Sequence, residues 1–125
     1  MDPELEKMAT DALNVAFAIH TDFGPGLLER VYLMLLVSKL KRMGYSVEHE
    51  VPVTFSYEGE VFRDAFRVDV LVEKKLIIEL KSVEFLSPVF AKQVLTYLRL
   101  LDLRLGLLIN FGAAHLRDGI KRIAN

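Results

Sequence analysis

The sequence predicts an α/β fold in which helices flank a mixed sheet of about four strands. The predicted order is helix, helix, three strands, helix, strand, helix. Three observations support this order. Apolar residues recur at helical spacing in the first third of the chain, the period changes to two near residue 51, and a helix–strand–helix pattern completes the sequence. With 125 residues and 52% hydrophobic composition, we expect one domain over residues 1–125.

Two helices are predicted before the sheet. Over residues 3–20, apolar positions such as Leu5, Met8 and Ala12 recur at helical spacing, and the glycine–proline run at 24–26 ends this helix. Residues 27–43 form the second helix, which is apolar on nearly all sides. A helix that is apolar all round is buried, so we expect the sheet and other helices to cover it on more than one side.

Three antiparallel strands are predicted next. Residues 51–57 alternate in polarity, and Glu58 with Gly59 forms a tight turn. The chain returns over residues 61–72, turns again, and continues outward over residues 76–82. The predicted topology is therefore an antiparallel meander of three strands.

The last third of the chain predicts helix, strand, helix. Pro88 begins a helix whose apolar residues continue to Leu101. Residues 105–111 are a short, continuously apolar run, which is typical of a strand covered on both faces. A strand–helix–strand connection of this length favours a parallel pairing. Residues 113–123 are predicted to form the last helix.

The register of the second hairpin decides where its charged residues lie. If Lys74 is the centre of a three-residue loop, Asp69 lies directly across from Glu79, with Cβ atoms about 4.5–5.5 Å apart. A two-residue turn would place the two acids on opposite faces. The three-residue loop is favoured because the alternate positions of both strands are then entirely apolar, so that one face packs on helices and the other carries the charges. These apolar positions are Val68, Val70, Val72, Leu76, Ile78 and Leu80.

Asp69, Glu79 and Lys81 are therefore the first candidate site residues. Two carboxylates this close repel unless a cation or a proton lies between them, and their oxygens suit Mg²⁺. Lys81 follows Glu79 by two residues and shares its face, where an ammonium group stabilises phosphate charge or orients a water molecule. A metal site that cleaves phosphodiesters explains this cluster. A salt-bridge patch on a solvated sheet face explains the spacing equally well.

Composition limits the function classes. The chain has no cysteine, which excludes disulfides, thiolate zinc sites and cysteine nucleophiles and fits a reducing cytoplasm. The acidic start does not resemble a secretory signal, and the apolar stretches are far shorter than the ~20 residues of a membrane span. We therefore expect a cytoplasmic protein without a membrane partner.

Several segments resemble a known family. Asp69 followed by Glu79, Leu80 and Lys81 resembles the D…E-x-K core of the PD-(D/E)XK nuclease superfamily. Residues 26–32 match G-x-x-E-x-x-Y. In order, the segments GPGLLERVY, FRVDVLVE, LIIELKSVE, QVLTYLRL and RLGLLINFG resemble the GxxExxY protein family, a small member of that superfamily.

The resemblance implies a restriction-endonuclease-like core and gives each matching residue a role. Asp69 and Glu79 match the metal-ligand positions, and Lys81 matches the catalytic lysine. Glu29 matches the helix glutamate that often completes the metal site. The implied cofactor is Mg²⁺, with Mn²⁺ as a substitute.

Three further residues carry expectations. Gln93 and Tyr97 match the helix residues that follow the E-x-K strand, and their i, i+4 spacing puts both on one helix face toward the cleft. Tyr32 of the G-x-x-E-x-x-Y segment is expected to be a core or hydrogen-bonding residue rather than a catalytic one.

Two functions follow from the resemblance. The first is hydrolysis of phosphodiester bonds in nucleic acid, with DNA as the expected substrate. The net charge of −1 does not exclude this function, because bound cations supply positive charge at the phosphate. The second is a non-catalytic module that binds nucleic acid or a protein partner. Because the chain is short, a homodimer joined through the second helix is expected to supply missing recognition surface.

Overall fold

The structure is a computed structural model that describes residues 2–125. Within these residues the chain forms three α-helices, five strands and one 3₁₀ turn. The helices are α1 (Pro3–Phe23), α2 (Glu29–Arg42) and α3 (Pro88–Leu101). The strands are β1 (Val47–Tyr57), β2 (Glu60–Val72), β3 (Leu76–Lys81), β4 (Leu105–Asn110) and β5 (Ile120–Ala124), and the 3₁₀ turn is Leu116–Gly119.

The strands form one mixed sheet in the order β1-β2-β3-β4-β5. Strands β1, β2 and β3 are antiparallel neighbours, β3 and β4 are parallel, and β5 returns antiparallel to β4. Helix α3 connects the parallel pair. The predicted α/β class, the meander and the parallel pairing across α3 are confirmed. No helix in residues 2–125 has the length and apolarity needed to cross a membrane.

The predicted register of the β2–β3 hairpin is confirmed. Val70 pairs with Ile78, and Val72 pairs with Leu76. Between these strands, the Lys75 N–H donates to the Val72 carbonyl oxygen at 2.9 Å. Continued by one residue, this register puts Asp69 opposite Glu79.

Helices cover both faces of the sheet. The larger core lies between α1, α2 and the face of the sheet that carries Val70, Ile78 and Leu107. On the opposite face, Ile77 packs with Val94 and Leu98 of α3. The prediction that only one face of the hairpin packs on helices is therefore wrong. The reason is that β3 and β4 are central strands, whose side chains are buried on both sides.

Val68 departs from its predicted face. It belongs to the α3 cluster with Ile77, and not to the cluster that contains Val70 and Val72. At this level of β1, Glu50 has a φ of 52°, between the pairs His49–Val70 and Val51–Val68. Beyond this level, Val51, Val53 and Val68 all lie in the α3 cluster.

The predicted last helix is wrong. Residues 113–123 contain the 3₁₀ turn and most of β5, which pairs with β4 from Leu105–Ala124 to Ile109–Ile120. At the edge of the sheet, β4 would expose its unpaired backbone, and pairing with β5 covers that edge. The sheet consequently has five strands where four were predicted.

Helix α2 is buried on one side only, which corrects the expectation of burial on more than one side. Its buried positions recur every three or four residues and form a single stripe, consisting of Tyr32, Leu33, Leu36, Val37 and Leu40. On the outer side, Met34 is 56% exposed and Val31 is 37% exposed. Helix α1 and the sheet cover this stripe, and no described element covers the outer side.

Candidate active site

The side chains of Asp69 and Glu79 replace backbone pairing where β2 and β3 separate. Backbone partners end at Val70 and Ile78. One residue further, the Asp69 N–H donates to Oε1 of Glu79 at 3.0 Å, and the Leu80 N–H donates to Oδ2 of Asp69 at 2.9 Å. Each acid therefore satisfies a backbone donor of the opposite strand, and the two carboxylates lie side by side.

Glu79 is a buried acid. Only 7% of the residue is exposed. Burial and the nearby negative charge of Asp69 raise the pKa of Glu79 to about 8, although the Asp69 N–H and the Lys81 charge act in the opposite direction. At neutral pH the pair is consequently stable with a proton on Glu79 or with a cation that replaces that proton.

Glu29 approaches the pair from the first turn of α2. A cleft of about 310 Å³ is lined by Glu29, Arg30, Leu33, Glu50 and Asp69. The pKa of Glu29 is raised above its ordinary value by partial burial and by the Asp69 charge, and the Lys81 charge offsets only part of this increase. The charges of Asp69 and Lys81 therefore both act on Glu29, although the residue as a whole is exposed.

The three predicted metal ligands, Asp69, Glu79 and Glu29, do not form a preformed metal-coordination site. In the described part of the chain, no three acidic or histidine side chains lie close enough together to hold a metal ion. Asp69 and Glu79 still fit a hard divalent cation, because Mg²⁺ is commonly bound by one or two carboxylates and completes its shell with water and phosphate oxygens. Each acid uses one identified oxygen in the backbone hydrogen bonds, which leaves its second oxygen for such an ion.

Lys81 ends β3 close to these acids but is not paired with them. Its Nζ lies 4.2 Å from the centroid of the Phe90 ring. None of the ion pairs among residues 2–125 includes Asp69, Glu79 or Lys81. The interpretation of this cluster as a solvated salt-bridge patch therefore does not agree with the structure.

Helix α3 brings Tyr97 to the same region. Its ring stacks on Phe66 with a centroid distance of 4.3 Å and an interplanar angle of 7°. Burial and the charges of Glu79 and Asp69 raise the pKa of Tyr97, so its hydroxyl is neutral at physiological pH. Gln93 lies one turn earlier on α3 and is exposed, and its role stays a prediction.

A family model for the PD-(D/E)XK nuclease superfamily matches residues 6–123. The chain belongs to this superfamily. Proteins of this class are nucleases that generally depend on divalent metal ions.

A structural comparison supports the fold of this PD-(D/E)XK protein. The crystal structure of a protein designated SSO0001 aligns with a TM-score of 0.58 at 19% sequence identity. The alignment covers 98% of this chain and 62% of that chain, so this protein spans less than two thirds of the length of SSO0001. Such low identity shows a common fold only. A comparison with curated protein sequences finds no match.

Tyr32 fixes the loop that precedes Glu29 in this PD-(D/E)XK protein. The Tyr32 hydroxyl donates to the Gly24 carbonyl oxygen and accepts from the Leu27 N–H at 3.1 Å. Its ring is buried and stacks on Phe111 with a centroid distance of 4.3 Å. The expectation of a buried, hydrogen-bonding tyrosine is confirmed.

Ser82 connects this loop to the strand that carries Glu79 and Lys81. Its Oγ donates to the Leu27 carbonyl oxygen at 2.9 Å. Tyr32 thus binds the N–H group of Leu27, and Ser82 binds its carbonyl oxygen. These two bonds hold the start of α2 against the end of β3. Sequence analysis did not identify Ser82, because a single serine after a strand carries no periodic signal.

Asn110 is a second residue that sequence analysis missed. It ends β4, is 2% exposed, and pairs in register with Lys81. Its Oδ1 accepts from the N–H groups of Val83 and Gly112 at 3.0 Å, and its Nδ2 donates to the Val83 carbonyl oxygen at 3.0 Å. A Cβ on Gly112 would lie 2.4 Å from that same carbonyl oxygen, so only glycine fits. The available signal was an asparagine ending an otherwise apolar strand.

Proposed function

We propose that the protein is a Mg²⁺-dependent nuclease of the GxxExxY family that hydrolyses phosphodiester bonds in DNA, with Mn²⁺ as a substitute metal. The observation that supports this proposal is the pairing of Asp69 and Glu79 where β2 and β3 separate. Burial raises the pKa of Glu79 to about 8, so the two acids resist being ionised together when no cation is present. A bound divalent cation would offset their repulsion, and the pair therefore favours cation binding.

The proposal assigns a role to each residue of the pair and its neighbours. Asp69 and Glu79 would hold the metal, and Glu29 would bind it or its water from the other side of the cleft. The metal, when bound, supplies an acidified water and neutralises charge on the leaving oxygen. Lys81 would orient the attacking water and stabilise the charge that develops on the phosphate.

Helix α3 would contribute to substrate positioning. The neutral hydroxyl of Tyr97 is a hydrogen-bond donor near the carboxylates, where an ionised phenol would be repelled. Gln93, one turn away on the same helix face, would contact the substrate with its amide. Both assignments depend on the position of α3 over this end of the sheet.

The decisive test compares Asp69→Asn and Lys81→Ala with the wild-type protein on plasmid and single-stranded DNA. The wild type is expected to cleave in Mg²⁺ or Mn²⁺ and not in EDTA, and each variant is expected to lose activity by about 10²-fold or more. Glu50→Gln is the matched control, because Glu50 lines the same cleft and has no proposed catalytic role. Cleavage by both variants at the wild-type rate would refute the mechanism.

A second candidate is a non-catalytic module of the same fold that binds nucleic acid or a protein partner. It is favoured by the absence of a three-residue metal-binding group among residues 2–125, and by the use of both acids as acceptors for backbone N–H groups. Calorimetry with Mg²⁺ and Mn²⁺ separates the two candidates. Binding of DNA without binding of metal would support the second.

Two further properties belong to the proposal. A homodimer would enlarge the recognition surface, and the exposed Val31 and Met34 of α2 are the side chains we expect at its interface. Light scattering of the Met34→Glu variant tests this expectation, because a charge at an apolar interface separates the subunits. The cysteine-free sequence fits action on DNA in the cytoplasm.

A further inference from the structure

The position of the Lys81 ammonium group is unexpected for a lysine beside two acids. Glu79 and Lys81 are two residues apart on β3 and therefore share a face, and the flexible four-carbon stem allows the ammonium group to reach nearby carboxylates. Its Nζ instead lies over the Phe90 ring, 4.2 Å from the centroid. Among residues 2–125, no ion pair within 4.0 Å joins this lysine to an acid.

The lysine is nevertheless within electrostatic range of the acids. Its charge acts to lower the pKa of both Glu79 and Glu29. A lysine ammonium that entered the space between Asp69 and Glu79 would occupy the carboxylate oxygens that a divalent ion needs. An internal ion pair and a metal ion therefore compete for the same ligands.

The face of the Phe90 ring is an alternative binding position for the Lys81 ammonium group. The face of an aromatic ring carries partial negative charge and attracts a cation within about 6 Å of its centroid. The ring is also held on a rigid element, because it lies in the first turn of α3. That turn is capped by Ser87, whose Oγ accepts from the Val89 N–H at 3.3 Å and whose carbonyl oxygen accepts from the Phe90 N–H at 3.1 Å.

We propose that Phe90 is a positioning residue that holds the Lys81 ammonium group away from Asp69 and Glu79, and so keeps these two acids available to a divalent cation. This inference rests on the proposed function, because it assumes that the acid pair binds metal. It adds a residue outside the D…E-x-K pattern whose effect is exerted only through the lysine.

Calorimetric titration of Mn²⁺ into four proteins tests this role without measuring activity. The proteins are the wild type, Phe90→Leu, Lys81→Ala and the double variant. Loss of the ring is expected to weaken Mn²⁺ binding about fivefold, as the usual strength of a cation–π contact suggests. Lys81→Ala is expected not to weaken binding, and the double variant is expected to match Lys81→Ala. Phe90→Tyr, which keeps the ring, is expected to bind like the wild type.

A matched control and an independent reading complete the design. Phe85→Leu makes the same chemical change at a residue that is 83% exposed, and is expected to leave Mn²⁺ affinity unchanged. Independently of metal, the NMR signals of the Lys81 ε-methylene protons are expected to show an upfield ring-current shift that Phe90→Leu removes. Thermal melting of each variant confirms that it is folded.

The outcomes separate this inference from the proposed function. If the wild type binds Mn²⁺ and Phe90→Leu binds it equally well, the inference is overturned and the metal site stands. If Phe90→Leu weakens binding and removal of Lys81 does not restore it, the ring acts through packing, which also overturns the inference. If the wild type binds no metal, the proposed function fails and the inference fails with it.

Discussion

The two ends of the β2–β3 hairpin are built on different principles. At the turn, Val70 and Val72 pair with Ile78 and Leu76 through backbone hydrogen bonds, and all four side chains are buried in the main core. At the open end, one residue beyond Val70, the backbone donors are satisfied by carboxylates.

We expect this difference to separate stability from the proposed function within one hairpin. Burial of apolar side chains at the turn end stabilises the fold. Burial of a carboxyl group beside a second acid has the opposite effect, because desolvation and repulsion both disfavour the charged form of Glu79. We expect substitutions at the turn end to change stability alone, and substitutions at the open end to change metal binding and cleavage.

The largest expected effect is on cleavage. Glu79→Gln keeps the shape of the side chain and removes its charge, so that Asp69 is left as the only carboxylate of the pair. We expect cleavage to fall by about 10³-fold and Mg²⁺ binding to disappear in calorimetry. Cleavage of DNA by this variant at more than one tenth of the wild-type rate would contradict the assignment of metal binding and cleavage to the open end of the hairpin.

The matching change at the turn end is Ile78→Ala. This side chain is fully buried in the main core, so its truncation is expected to lower the free energy of unfolding by about 2–5 kcal/mol. Urea denaturation measures this loss. For protein that stays folded, Mg²⁺ affinity is expected to be unchanged, since the alanine keeps the backbone pairing with Val70. A large loss of metal affinity would show that the two ends are not separable.

The pH dependence of stability sharpens the comparison. The pKa of Glu79 is about 8 in the folded protein, against an ordinary value of 4.5. The folded state therefore binds this proton more tightly than the unfolded state does. The resulting stabilisation is fully present below pH 4.5 and is lost as the pH rises through about 8.

Without metal, we expect this effect to make the wild type roughly 2–4 kcal/mol less stable at pH 8 than at pH 5, relative to Glu79→Gln at the same two pH values. Urea denaturation of both proteins at each pH measures the difference. Addition of Mg²⁺ is expected to reduce it, because a bound cation replaces the proton. An equal pH dependence in the two proteins would mean that Glu79 is not an acid with a raised pKa.

The smallest expected effect concerns the loop held by Tyr32. Tyr32→Phe keeps the stacking on Phe111 and removes the hydroxyl that bonds Gly24 and Leu27, so we expect a loss of about 1–2 kcal/mol in thermal or urea denaturation. A lower cleavage rate is also expected, since this loop positions Glu29. Tyr57→Phe, at a tyrosine that is 65% exposed, is the control and is expected to change neither quantity.

Much of the fold was predictable because it depends on short-range patterns. The register of the β2–β3 hairpin followed from requiring Val70, Val72, Leu76 and Ile78 to share one face, and the structure confirms it. The same register brings Asp69 opposite Glu79. The tail at 113–123 was mistaken for a helix, since five apolar residues in a short segment do not distinguish a helix from a strand that covers a sheet edge.

The sequence by itself determined the α/β class, the hairpin register and the positions of the acids along their strands, because alternation and turn length are properties of neighbouring residues. Only the tertiary structure decided that Val68 packs toward α3, that Asn110 holds Val83, and that Lys81 lies over Phe90. Each of these contacts joins elements that meet across the sheet or at its ends. Local periodicity does not encode contacts between elements that are distant in sequence, because these contacts depend on how the whole core packs.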